Sequence, residues 1–296
     1  MNFLKTTFDL NFSLKPSFIL SLFIRYKDLW IKIAGFKKYS YMSQINGIII
    51  SDVDINILKF WTGVWYNPFI EFEKIKPSLG KSLRVKVQRI LETYHKVSLC
   101  VSPYDKDILI VPIVLSRRTD YERNVLRWCA RLWNYINSIE DILNIDISLI
   151  GRSYQIIQLK NTIKDFIDKV LPIINDASPE ELRIELIKCK WIGPKVADAY
   201  LLFTGLATDV TPVDIHLIRM LRRIPLVKYE ILPKREYCSK YLCRECPIND
   251  SCIRYIFSNT FKRLAGWLQT VFYLHDRLYC QQDRCNICKI RDLCKK

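Results

Sequence analysis

Residues 182–221 read LRIELIKCKWIGPKVADAYLLFTGLATDVTPVDIHLIRML, and the three helices predicted in and around this stretch set the character of the chain. The first, expected over 179–188, opens at Ser178-Pro179-Glu180-Glu181, which offers an N-cap, a first-turn proline and two acids placed for the helix dipole. It ends near Cys189. Trp191-Ile192-Gly193-Pro194 then reads as a tight hairpin ahead of a second helix over 194–203. Helix, hairpin, helix presents backbone N–H groups at a helix N-terminus, so Ile192 and Gly193 are expected to face a phosphate. Thr211-Pro212-Val213-Asp214 opens the third helix, expected over 212–223, with Thr211 as N-cap and Pro212 at the first helical position.

Two side chains here carry chemistry. Lys195 falls in the first turn of its helix, where the dipole penalises a cation. The same penalty lowers its pKa and makes the neutral amine more available as a nucleophile. Asp214, 19 residues further on, sits in the first turn of the next helix, where an acid is also an ordinary capping group. Taken singly, each has a purely structural reading. Together, in this order behind a hairpin, they point to catalysis.

Working outward, residues 83–94, 121–136, 154–174 and 258–278 show apolar positions at helical three- and four-residue spacing or bracketing caps. Before residue 60 the pattern differs. Phe8–Leu14, Leu29–Ala34 and Ile45–Ser51 are short β-branched and aromatic runs, separated by Gly35, Asn46-Gly47 and Asp52. The fold class expected is α+β, mostly α: an N-terminal antiparallel sheet, then a two-lobed helical body ending in Cys-rich loops. The divisions expected are a β-rich domain over 1–60 and a helical core over 61–237 with the helix-hairpin-helix unit at 182–223. A Cys-rich insertion over 238–257 and a late helix with a second Cys loop over 258–296 complete the chain.

Cysteine supplies an internal repeat. Cys238-x4-Cys243-x2-Cys246-x5-Cys252 and Cys280-x4-Cys285-x2-Cys288-x5-Cys294 have identical spacing, in YCSKYLCRECPINDSC and YCQQDRCNICKIRDLC. No basic n-region and apolar h-region open the chain, so secretion is not expected and a late cysteine cluster reads as metal ligation rather than disulfides. Each quartet suffices for one tetrahedral metal or one cubane cluster. A single CxxC flanked by singletons suits a wrapping loop around a cubane better than the paired CxxC of structural zinc sites. An iron–sulfur cluster is expected at the second quartet, and a second cluster or zinc at the first. The remaining Cys100, Cys129 and Cys189 lie in apolar surroundings and read as small core residues.

Charge narrows the partner. The 46 Lys and Arg against 30 Asp and Glu give a net +16, which favours a polyanion through counterion release. Half the residues are apolar, as in a folded protein, yet no run approaches the roughly 18 residues needed to span a bilayer. No cluster of basic residues of the lipid-binding kind appears either. The expectation is an intracellular protein that works on nucleic acid and not on a membrane.

IGPKVAD and TPVDIH resemble the active-site signature of the helix-hairpin-helix DNA glycosylase superfamily, a hairpin followed by Lys and then by Asp in a P-V-D context. AGWLQTVFY, residues 265–273, looks like the late helix of the 8-oxoguanine DNA glycosylase branch, and Ser116–Asp120 and Gly151-x-x-Tyr154 are weaker echoes of it. The second quartet occupies the place where endonuclease III relatives carry their [4Fe–4S] loop. The resemblance implies a bifunctional DNA glycosylase and abasic-site lyase, acting as a monomer on double-stranded DNA that holds a damaged base, expected to be an oxidised purine. In it Lys195 attacks C1′ of a flipped-out nucleotide to form a Schiff base, and Asp214 stabilises charge developing on the sugar. Ala199, Gln269 and Tyr273 match base-pocket positions and His216 a phosphate contact. The hairpin departs from the family, with Trp191 in place of its first glycine, and Arg117-Arg118-Thr119 stand where the family has an asparagine-rich wedge. The rivals are a non-catalytic DNA-binding module with metal scaffolding, an iron–sulfur electron carrier, and a glycosylase for a deaminated or mismatched base.

Overall fold

The computed structural model describes residues 1–295. Strands β1 (Asn2–Lys5), β2 (Phe23–Tyr26), β3 (Leu29–Lys32), β4 (Tyr41–Ile45) and β5 (Ile48–Ser51) form one antiparallel sheet in the order β1-β5-β4-β3-β2. The register between β4 and β5 is fixed by the Asn46-Gly47 turn, both of whose residues have positive φ (49° and 77°), leaving Ile45 opposite Ile48. Alternation then turns Met42 and Ile49 inward to the core.

The rest is helical. The sequence continues through α1 (Leu10–Leu14), α2 (Ile55–Thr62), α3 (Pro68–Ile75), α4 (Lys81–Thr93), α5 (Ile110–Leu115), α6 (Leu126–Leu132), α7 (Tyr154–Ile157) and α8 (Leu159–Lys169). It closes with α9 (Pro179–Lys188), α10 (Pro194–Phe203), α11 (Ile215–Arg223), α12 (Arg235–Cys238), α13 (Ile253–Phe261) and α14 (Ala265–Leu278). One continuous core runs from Leu4 and Met42 in the sheet, through Leu58 and Leu91, to Trp267 and Ile290. The sheet is pinned to the body by a fully buried ion pair. Lys32 Nζ lies 3.0 Å from Asp105, beneath the rings of Phe23 and Trp61. Asp105 also accepts from the Phe36 N–H (2.6 Å) and the Ser102 hydroxyl (2.5 Å), so the buried charge is fully partnered. Among the described residues no helix is long and apolar enough to cross a membrane.

Five predicted segments differ from the sequence expectation, one being the 154–174 helix, which is the two helices α7 and α8 and ends at Lys169. Phe8–Leu14 is not a strand: Asp9 accepts from the Phe12 N–H and caps α1, whose Leu10, Ser13 and Leu14 turn inward at helical spacing. The predicted 121–136 helix opens with a π turn over Tyr121–Val125 and ends at Leu132. The third helix of the central stretch begins at Ile215, not Pro212. Asp214 itself is the N-cap, while Thr211 turns away to hydrogen-bond Ser258 (2.8 Å). The late helix over 258–278 is two helices. Lys262, at φ +47°, breaks it between α13 and α14 and resets the direction of the second.

Candidate active site

The capping box at Ser178 and Glu181 starts α9, and Cys189 ends it, as the sequence indicates. The hairpin that follows is locked from inside. Ile192 is fully buried, and its N–H donates to the Cys189 carbonyl at 3.3 Å. Neither its side chain nor its N–H is therefore free to meet a phosphate. Gly193 is the opposite case: it is the extended N-cap of α10, a Cβ on it would meet open space, and its N–H has no protein partner among the described residues.

Lys195 is the second residue of α10, within its first turn. Its Nζ donates to Ser116 Oγ at 3.1 Å and lies 5.2 Å from the centroid of the Phe18 ring. Burial lowers its pKa below the usual lysine value, and the charge of Asp214 opposes that only in part. Asp214 uses its two oxygens separately. Oδ1 accepts from the Leu217 N–H at 2.8 Å, and Oδ2 accepts from Gln269 Nε2 at 3.1 Å. Burial raises its pKa, against the pull of His216, the Leu217 N–H, Lys195 and Gln269 in that order. The first shift favours the uncharged amine, and the second makes the Asp214 carboxylate a stronger base.

These groups open into one cavity of about 1390 Å³, whose walls come from distant parts of the chain. α10 contributes Lys195 and the small, buried Ala199; α14 contributes Gln269 and Tyr273. His216 also lines the cavity and packs on α14, its Nδ1 2.7 Å from Asp276 and its ring edge-on to Tyr273. Of the two arginines at the wedge position, both expected to contact DNA, Arg118 is exposed and lines the cavity. Arg117 is spent within the protein: it donates to Val114 O, Trp191 O (3.1 Å) and Gln158 Oε1 (3.0 Å), and so braces the hairpin. Ser116 and Phe18 were absent from the sequence-derived site. Each reaches Lys195 only through tertiary packing, Ser116 at the end of buried α5 and Phe18 wedged between Tyr121 and Phe203.

The cysteine repeat is a repeat of structure as well. In each loop a 3₁₀ turn covers the CxxC, at Cys243–Glu245 and Cys285–Ile287, and another precedes the last cysteine, at Asn249–Ser251 and Arg291–Leu293. The linking Ile248 and Ile290 have nearly the same dihedrals, φ −114° and ψ 15° against φ −119° and ψ 23°. The first loop rests on the helix-hairpin-helix unit: Arg183 reaches both Cys238 Sγ (3.7 Å) and buried Asp198 of α10, and Arg254 completes that cluster. The second is seated on α11 and α14, with Cys280 against Met220 and Cys288 Sγ 3.5 Å from His275 Nε2. Among the described residues no three His, Cys, Asp or Glu side chains are drawn together as a single-ion site.

No family model matches the chain, and no curated protein is detectably similar in sequence. Its fold is nonetheless shared with solved structures. MBOgg1 bound to a low-affinity DNA ligand superposes with a TM-score of 0.68 at 14% identity, over 92% of this chain and 93% of that one. The 8-oxoguanine glycosylase/lyase of Clostridium acetobutylicum, bound to duplex with cytosine opposite 8-oxoguanine, gives 0.63 at 16% identity over 92% of each chain. The 3-methyladenine DNA glycosylase of Archaeoglobus fulgidus gives 0.59 at 15%, over 94% and 99%. The chain has the helix-hairpin-helix DNA glycosylase fold.

Proposed function

We propose that this protein is a base-excision DNA glycosylase with an associated lyase activity. The observation that carries the reading is the opening of the Lys195 amine and the Asp214 carboxylate into one cavity, behind a hairpin whose Gly193 N–H is free for a phosphate. In this reading the damaged nucleotide, expected to be an oxidised purine, is everted from double-stranded DNA into the cavity, because C1′ is unreachable within the stack. Neutral Lys195 attacks C1′; the C1′–N bond breaks and the base leaves with the bonding pair and takes up a proton. Asp214, ionised, offsets positive charge on the sugar and accepts a proton from the attacking amine. Opening of the sugar gives the iminium, and loss of a proton from C2′ expels the 3′ phosphate. Gln269 holds Asp214 in place, and Ala199 and Tyr273 leave room for the base.

The donor chemistry of the two quartets fits iron–sulfur ligation, since four soft thiols in a short loop are what such clusters take. Cys280, Cys285, Cys288 and Cys294 would hold a [4Fe–4S] cluster, and Cys238, Cys243, Cys246 and Cys252 a second one. The matching turns of the two loops support one type of group in both. Such a cluster would supply rigidity here, fixing loops whose exposed Arg284, Lys289 and Arg291 can meet phosphates.

Borohydride trapping tests the reaction. With lesion-bearing duplex and borohydride, the parent is expected to form a covalent protein–DNA product by reduction of the iminium, and a correctly folded Lys195→Gln variant none. Trapping of Lys195→Gln at the parental level would assign the nucleophile elsewhere.

A further inference from the structure

We propose that Trp191 is a nucleobase-stacking residue on the cavity rim, its indole laid against a base adjacent to the everted nucleotide. The proposal rests on the reading of this cavity as a DNA site. Trp191 has φ +65°, a region in which glycine is at ease and a bulky side chain is strained. The side chain is not kept there to fill the core, because it is 48% exposed. The strained turn is held on every side: Arg117 donates to the Trp191 carbonyl, the Lys190 N–H donates to Asp165 (2.7 Å), and Ile192 is anchored in the core. What this bracing delivers is an indole presented outward at the mouth of the cavity. Arg118, across the same mouth, is also exposed and at positive φ (50°). Of the eight non-glycine residues at positive φ among the described residues, Trp191 and Arg118 line this cavity, and strain of this kind can be held where a surface is shaped for a ligand.

Depth decides which base. Ala199 and Gln269 are almost completely buried and line the floor, whereas the indole stands at the edge. A nucleotide taken into the cavity would meet the former, and its neighbour in the strand the latter. An aromatic ring suits that neighbour because every base offers a π-face, so stacking needs no particular sequence.

The test measures binding at fixed salt to two duplexes, one with a stable abasic-site analogue and one with the lesion base intact, the second in a Lys195→Gln background that prevents turnover. Trp191→Asn, which tolerates positive φ but has no ring, is expected to bind both duplexes about 5- to 150-fold more weakly, while Trp191→Phe stays within about threefold of the parent. The thermal midpoint of Trp191→Asn is expected to be equal to or higher than the parent's. Parental binding by Trp191→Asn overturns the proposal, as does a midpoint that falls in step with affinity, which marks a packing role. A loss confined to the base-bearing duplex also overturns it, by placing the indole on the everted base. A parent that binds neither duplex better than undamaged DNA removes the glycosylase reading itself, and this proposal with it.

Discussion

Asp214 divides its two oxygens between the cap of α11 and the cavity, and a pair of substitutions separates them. Oδ1 caps α11 through the Leu217 N–H, and Oδ2 faces the cavity with Gln269. Asn caps a helix about as well as Asp, so Asp214→Asn is expected to keep the parental stability within about 0.5 kcal/mol, whereas Asp214→Ala loses about 1 kcal/mol. Both lack the ionised carboxylate, and the trapping rate is expected to fall on the order of 10²–10⁴-fold in each. Urea denaturation and single-turnover trapping read the two effects; an Asp214→Asn enzyme that traps as fast as the parent removes the carboxylate from the mechanism. Burial is what lowers the pKa of Lys195, and the sequence shows the position of this lysine but not its burial. Its place in the first turn of α10 is legible from Gly193-Pro194. Its burial beside Phe18 is not, since that contact joins residues far apart in the chain. Ser116 was hidden for the same reason, lying 79 positions from the lysine it accepts from.

Helix starts announced by Ser-Pro and Gly-Pro, at α9 and α10, fall where the residues place them, because caps and first-turn prolines act locally. Other elements are decided by packing. Phe8–Leu14 has the composition of a strand, yet short apolar runs of this kind also suit a buried helix, and composition alone does not separate the two. The break at Lys262 matters more for function. It lets α14 start afresh and approach α10 so closely that a Cβ on Gly266 would collide with Leu202 and lie 2.9 Å from the Thr208 carbonyl oxygen. That approach, sealed by the Gly266 N–H to Thr208 O bond, is what carries Gln269 to Asp214. Gly266→Ala is expected to cost about 1–3 kcal/mol by overpacking, since a backbone carbonyl must move. The trapping rate should fall with it as Gln269 shifts. A Gly266→Ala protein as stable as the parent would show that the two helices can separate freely, and the close approach would then not position the site.

For the whole molecule, the expected metal content is the most direct check on the repeated quartets. Protein purified without oxygen is expected to absorb broadly through the visible range and to contain iron with acid-labile sulfide, in an amount that distinguishes one cluster from two. A colourless protein with stoichiometric zinc overturns the cluster assignment. The basic excess, the cysteine repeat, and the order hairpin, lysine, aspartate belong to the sequence itself, because each follows from residue identity and short spacing. So do the caps of α9 and α10 and the turn at Asn46-Gly47. The tertiary structure decided the rest: that Arg117 braces the hairpin instead of facing outward, that Ile192 is sealed in the core, and that Ser116 and Phe18 gather around Lys195 and Gln269 around Asp214. Those outcomes depend on which surfaces are buried against one another, and burial is a property of packed elements that no local stretch of chain encodes.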